Sequence, residues 1–213
     1  MLTICLRIFE IRAVKKFESI CNQAKNCIVC KEELPFHPKP VFALHPKSKI
    51  LIIGQAPGTR VQATGIPWND PSGIELRRWL DVTEDEFYNE KIFGIMPMGF
   101  CYPGRGKQGD LPPRVECAPL WHPKLTHHLK ELELVLLIGK YAQAYYLAKE
   151  RKENLTNTVK AFKEYLPYYF PLVHPSPRNR LWQKKNPWFE GKVIPELQYR
   201  VKKILESNVD EVL

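Results

Sequence analysis

Nowhere does the sequence hold an apolar run near the roughly 18–20 residues that a membrane-crossing helix needs. Its opening stretch, MLTICLRIFEIRAVKKF, is broken at Arg7, Glu10 and Arg12, and no small-residue cleavage site follows. That excludes the pattern of a secretory signal and predicts a cytoplasmic protein with no membrane partner. No internal repeat and no low-complexity segment is present, which excludes a repeat array. The Gly-x-Ser-x-Gly elbow is also missing, which argues against a serine hydrolase of the α/β-hydrolase kind. Acidic residues are in deficit, 23 against 32 Lys and Arg, leaving a net charge of +9. Such an excess favours polyanionic partners, because Lys and Arg displace counterions from phosphates. The excess is clustered: Arg105, Lys107 and Arg114 share one Gly/Pro-rich loop, while Arg178, Arg180, Lys184 and Lys185 follow another.

What is present suits a folded α/β protein. At 213 residues, 44% of them hydrophobic, the chain can bury a substantial core as a single domain over 1–213. Residues 1–20 read as an N-terminal extension or helix, and helical spacing continues over 13–26. Nearly continuous apolar runs at 49–54, 91–98, 133–139 and 168–174 read as strands buried on both faces. Helices are predicted over 73–80, 115–130, 141–150 and 155–165, with a C-terminal amphipathic helix from Pro187 onward. Asp70 or Ser72 is placed to cap the first of these, and Thr83 with Glu86 has capping-box spacing. The loop 102–113 is too rich in Gly and Pro for regular structure. Strands alternating with helices predict parallel βαβ units, with the ligand site outside the carboxyl ends of the strands.

Those ends carry the distinctive residues. Gly54-Gln55-Ala56-Pro57-Gly58 follows the first strand, as a bare tight turn or as a loop bringing amides and one polar side chain to a ligand. His174-Pro175-Ser176-Pro177-Arg178 follows the last strand, and its two prolines stiffen an extended segment. Six cysteines in a cytosolic chain are no disulfide framework. Cys27 and Cys30 form a CxxC, and fifteen residues separate Cys101 from Cys117. All-thiolate ligation suits an iron–sulfur cluster and equally a structural zinc, while ordinary buried thiols need no metal. Cys21 is an alternative ligand, and Cys5 reads as a bystander.

The two strand-end segments resemble the signature motifs of the uracil–DNA glycosylase superfamily. Gly54–Gly58 is similar to the water-activating loop of the family's iron–sulfur branch, and His174–Arg178 to its His-Pro-Ser-Pro loop. Gly65-Ile66-Pro67-Trp68 resembles the Gly-x-Pro-Phe segment whose ring stacks on an extracted base. Gly139–Leu147 resembles the family's turn into a helix, and the likeness spans about residues 20–205. The resemblance implies a three-layer αβα sandwich around a central, mainly parallel four-stranded sheet. It implies a monomer that flips a nucleotide from DNA and hydrolyses its N-glycosidic bond, removing uracil or another damaged base.

The roles follow residue by residue from that resemblance. His174 would stabilise charge on the departing base, while Gln55, with Asp70, would place the water. Trp68, Pro97, Ala56 and Gly54 would line the base site, and Arg178, Ser176, Lys107 and Arg114 would meet DNA. Cys27, Cys30, Cys101 and Cys117 would hold a 4Fe–4S cluster, with structural zinc or no metal as alternatives. Two positions depart from the branch. Pro97 stands where the branch has a uracil-reading asparagine, and Gln55 is neutral where it has a glutamate. Proline offers no side-chain hydrogen bond, and glutamine orients a water without acting as a general base. Asp70 is the first substitute carboxylate, unless it only caps its helix, and Asp110 a weaker one. Both departures keep a second reading open: a lesion- or single-strand-binding protein that retains the fold without the chemistry.

Overall fold

The computed structural model describes residues 2–207 except Gln108, and of residues 2–11 only the backbone. Cys5 therefore lies outside the described side chains. Six strands form: β1 (Ile50–Ile53), β2 (Phe93–Ile95), β3 (Arg105–Gly106), β4 (Gly109–Asp110), β5 (Leu134–Ile138) and β6 (Tyr169–Leu172). The helices before β5 are α1 (Leu2–Lys25), α2 (Thr59–Thr64), α3 (Pro71–Leu80), α4 (Glu84–Phe87) and α5 (Cys117–Thr126). After it come α6 (Lys140–Tyr146), α7 (Leu155–Lys160), α8 (Arg180–Lys185) and α9 (Ile194–Glu206).

Four of the strands make one parallel sheet in the order β2-β1-β5-β6. Alternate side chains of each strand point to opposite faces, and here both faces are covered, so the strands are apolar throughout. Ile50, Ile52, Leu134, Leu136 and Phe170 pack with Trp79 of α3 and Leu197 and Val201 of α9. Leu51, Ile53, Val135 and Leu137 pack with Phe17 of α1, Trp121 and Leu125 of α5, and Ala142 of α6. The result is the expected three-layer sandwich.

Chain order reverses between β1 and β5: β2 lies outward on one side, β5 and β6 on the other. A crevice beyond the carboxyl ends of the strands opens at such a reversal. Local cap chemistry forms as read. The Asp70 carboxylate accepts the Gly73 N–H at 2.9 Å, and Thr83 and Glu86 form a reciprocal capping box.

One expectation needs correction. The loop 102–113 is not irregular, because β3 and β4 pair antiparallel within it, Arg105 opposite Asp110 and Gly106 opposite Gly109. Gly109 has φ of +133°, a conformation that glycine adopts without strain, and this lets so short a hairpin close. The basic segment after Arg178 forms helix α8, Arg180–Lys185, which had no local expectation attached to it.

Candidate active site

The pocket is built from the loop after β1 outward. Gly54 ends β1 with no room for a side chain: a Cβ there would lie 2.9 Å from Cζ2 of Trp68. The chain turns through Gln55–Gly58 into α2, which stops at Gly65 in the left-handed region. Trp68 itself has φ of +56°, unusual for a bulky residue. Its carbonyl is wedged against Gly73, where a Cβ would sit 1.7 Å from the Trp68 oxygen. The Tyr88 hydroxyl donates to the Pro67 carbonyl at 3.0 Å. The Trp68 ring is thus held from three sides, with its edge on β1.

His174 arrives from the end of β6. Its ring centroid stands 5.6 Å from that of Trp68, tilted by 34°. Burial pushes the His174 pKa below the usual histidine value, and the charges of Asp70 and Asp110 act against that shift. The Asn179 side chain donates to the His174 carbonyl at 2.7 Å and fixes the stiff loop. Ser176 caps the turn Pro177–Asn179 by accepting the Arg178 N–H.

One cavity is lined by Gly54, Gln55, Ala56, Trp68, Asp70, Pro97 and His174, among others. The structure therefore brings together every residue that the resemblance assigns to the catalytic and base-binding set. Asp70 caps α3 with Oδ1 and also lines the cavity, the one carboxylate to do so among the described residues. Gln55 donates its amide to the Leu111 carbonyl at 3.1 Å.

That contact ties the hairpin to the site. Asp110 Oδ2 lies 3.5 Å from where a Gly58 Cβ would be, and a Gly109 Cβ would fall 2.5 Å from Nη1 of Arg178. Arg105 and Lys107 on the same hairpin are exposed. Arg114 stands elsewhere: its guanidinium donates to Glu116 at 2.7 Å and lies 4.0 Å from Glu33.

Cys27, Cys30, Cys101 and Cys117 line a second cavity, with Pro38, Phe100, Arg114 and Trp121 around them. Cys21 is buried in the core instead, with its thiol pushed up to about 11. Burial raises the Cys101 thiol to about 11 and that of Cys117 to about 12. The Phe100 N–H donates to Cys117 Sγ at 3.3 Å. Two other donors on the cavity's residues, Trp121 Nε1 and Arg114 Nε, are buried without a hydrogen-bond partner. Among the described residues no three His, Cys, Asp or Glu side chains are grouped to hold one metal ion.

Against known proteins, the model of the uracil DNA glycosylase superfamily matches residues 42–198. The chain belongs to that superfamily. The match includes both strand-end loops, the Trp68 segment, the hairpin and α5, and its members act on DNA as glycosylases. A solved structure of wild-type SMUG2 from Pedobacter heparinus is similar over 78% of this chain and 77% of its own, at 15% identity and a TM-score of 0.33.

One polar residue of the site's surroundings escaped the sequence reading. His122, 1% exposed, lies behind Pro97. Its only sequence signal is a histidine beside Pro123 in an otherwise apolar helix face.

Proposed function

We propose that the protein is a monofunctional DNA glycosylase that takes a flipped, damaged base between Trp68 and the aliphatic wall of the cavity. The carrying observation is the convergence of Trp68, His174, Asp70 and Gln55 on one cavity at the strand ends. Trp68 offers a broad stacking face for a base. His174, kept neutral by burial, donates an N–H toward a base carbonyl and stabilises negative charge as the glycosidic bond breaks. Gln55 uses its amide N–H on Leu111, which leaves its Oε1 to accept from and orient a water. Asp70 supplies the negative charge that a positively charged sugar in the transition state requires, and a site for the water's proton. Arg178, leaning on the hairpin at Gly109, fills the gap left by the flipped nucleotide, while Ser176, Lys107 and Arg105 meet the backbone. Arg114 serves DNA less directly, because Glu116 and Glu33 already offset its charge.

A 4Fe–4S cluster fits the second cavity. Four thiols line it, and two orphaned buried N–H groups there lack the acceptors that thiolate and sulfide would provide. A structural zinc is the alternative occupant for four thiols. The cluster would be structural, fixing both ends of the segment that carries the hairpin.

A second reading, a binder without chemistry, draws on the neutral Gln55 and on Pro97. Two variants separate the readings. His174→Ala should lower single-turnover excision by about 10²–10³ while changing DNA affinity less than about tenfold. Arg178→Ala should weaken duplex binding and spare single-stranded substrate, which needs no wedge. If both variants lose affinity alike and no excision is detectable in the unmodified protein, the loop is a clamp.

A further inference from the structure

Behind the inner wall of the base cavity lies a polar network that the chemistry above does not use. His122 sits on α5, buried, with Nε2 3.1 Å from the Pro97 carbonyl and Nδ1 2.7 Å from the Tyr146 hydroxyl. A carbonyl only accepts, so Nε2 carries the hydrogen and Nδ1 accepts from Tyr146. Burial lowers the His122 pKa to about 4, so the ring is neutral at physiological pH, and it raises that of Tyr146, which remains a hydroxyl donor.

Consider what this leaves for a base. The amides of Met96, Met98 and Gly99 donate to the carbonyls of Ile52, Gly54 and Gln55, extending the β1–β2 pairing past its end. Pro97 has no N–H, and its carbonyl is turned to His122, which does not line the cavity. Val41, Val61, Ile95 and Pro97 bring apolar side chains to the cavity lining. The same segment is held to α5 a second time: Phe100 stacks on His122 at 5.8 Å and donates its N–H to Cys117 on that helix.

We infer that His122 is a positioning and specificity-determining residue, which holds the Pro97 carbonyl on the α5 side and so leaves Pro97 offering no hydrogen-bonding group to the cavity. The inference rests on reading this cavity as the base site. It narrows the substrate class to bases recognised along one polar edge, at His174 and Asp70, with shape alone governing the opposite edge. An apolar residue at position 122 would fill the space but strand the Pro97 carbonyl without a partner.

The test compares His122→Leu with His122→Gln, whose amide can still donate to Pro97. His122→Leu should lower the single-turnover rate about tenfold or more, with KM for DNA within about twofold, and shift the preference among bases toward those with a donor facing the freed Pro97 carbonyl. His122→Gln should restore most of the rate and the preference. In the long-range 1H–15N spectrum of the natural protein, Nε2 of His122 should be protonated and Nδ1 bare. Should His122→Leu fail to fold, Tyr146→Phe removes only the Nδ1 partner and should give a smaller loss of the same kind. A protonated Nδ1 overturns the inference, as do unchanged rate and base preference in folded His122→Leu. If the natural protein excises nothing, the proposed function fails while the inference stays decidable. Duplex carrying 2-aminopurine at the target position then reports seating of the base. Loss of its bound-state fluorescence in His122→Leu, at unchanged affinity, supports the inference, and an unchanged signal overturns it.

Discussion

Trp68 is held in a backbone conformation that a bulky side chain rarely adopts, and the cost of order 1–3 kcal/mol is offset by its surroundings. Gly54 and Gly73 leave no room for it to relax, and Tyr88 anchors the preceding carbonyl. In the proposed glycosylase, Pro97 in the same cavity sets selectivity at the same scale. A site that hydrogen-bonds its base can discriminate by about 10⁴-fold or more, whereas an apolar slot discriminates weakly. Excision by the natural sequence should therefore separate uracil poorly from thymine and cytosine. Pro97→Asn should raise uracil selectivity, measured as a ratio of kcat/KM values. Robust excision confined to uracil by the natural sequence would mean that the base does not lie against Pro97. The prominent site residues were legible because they sit in short motifs at strand ends. His122 was not, because its partners are 24 and 25 residues away and nothing local marks it.

Elements whose cause is local were readable, and those whose cause is tertiary were not. The four apolar runs became the four sheet strands, and Asp70, Thr83 and Glu86 capped the helices expected of them. The β3–β4 hairpin has only two residues in each strand and no alternating pattern, so it left no periodic signal. It is fixed from outside, by Gln55 on Leu111, by Arg178 on Gly109, and by a Pro35 contact at Gly104. Its two flanks end at Cys101 and Cys117, so the cysteine cavity should govern its order. Anaerobically purified protein should be brown, with about four irons per chain. Cys101→Ala or Cys117→Ala should bleach it and raise amide hydrogen exchange over residues 102–116. Stoichiometric zinc without iron would replace the cluster by a single-metal site, and unaltered exchange in the variants would detach the hairpin from the cavity.

At the scale of the whole molecule, Arg105 and Lys107 are exposed on the hairpin that Gln55 ties to the cavity, and Lys184 and Lys185 are exposed on α8. No described helix is long and apolar enough to cross a membrane. DNA affinity should fall steeply as salt rises, and Lys107→Ala should reduce the slope of log K against log salt by about one. Binding that ignores salt would remove phosphate contact from the account.

The central claim is that the Trp68–His174 cavity breaks a glycosidic bond, and one measurement addresses it directly. Duplex and single-stranded oligonucleotides carrying uracil, hypoxanthine, xanthine or an oxidised base are incubated with the metal-loaded protein. Alkali-cleavable abasic sites are then scored alongside binding. The account predicts abasic sites at the modified position in at least one substrate, with more than one base removed because the inner wall reads shape. Tight binding to these strands with every glycosidic bond left intact would contradict it.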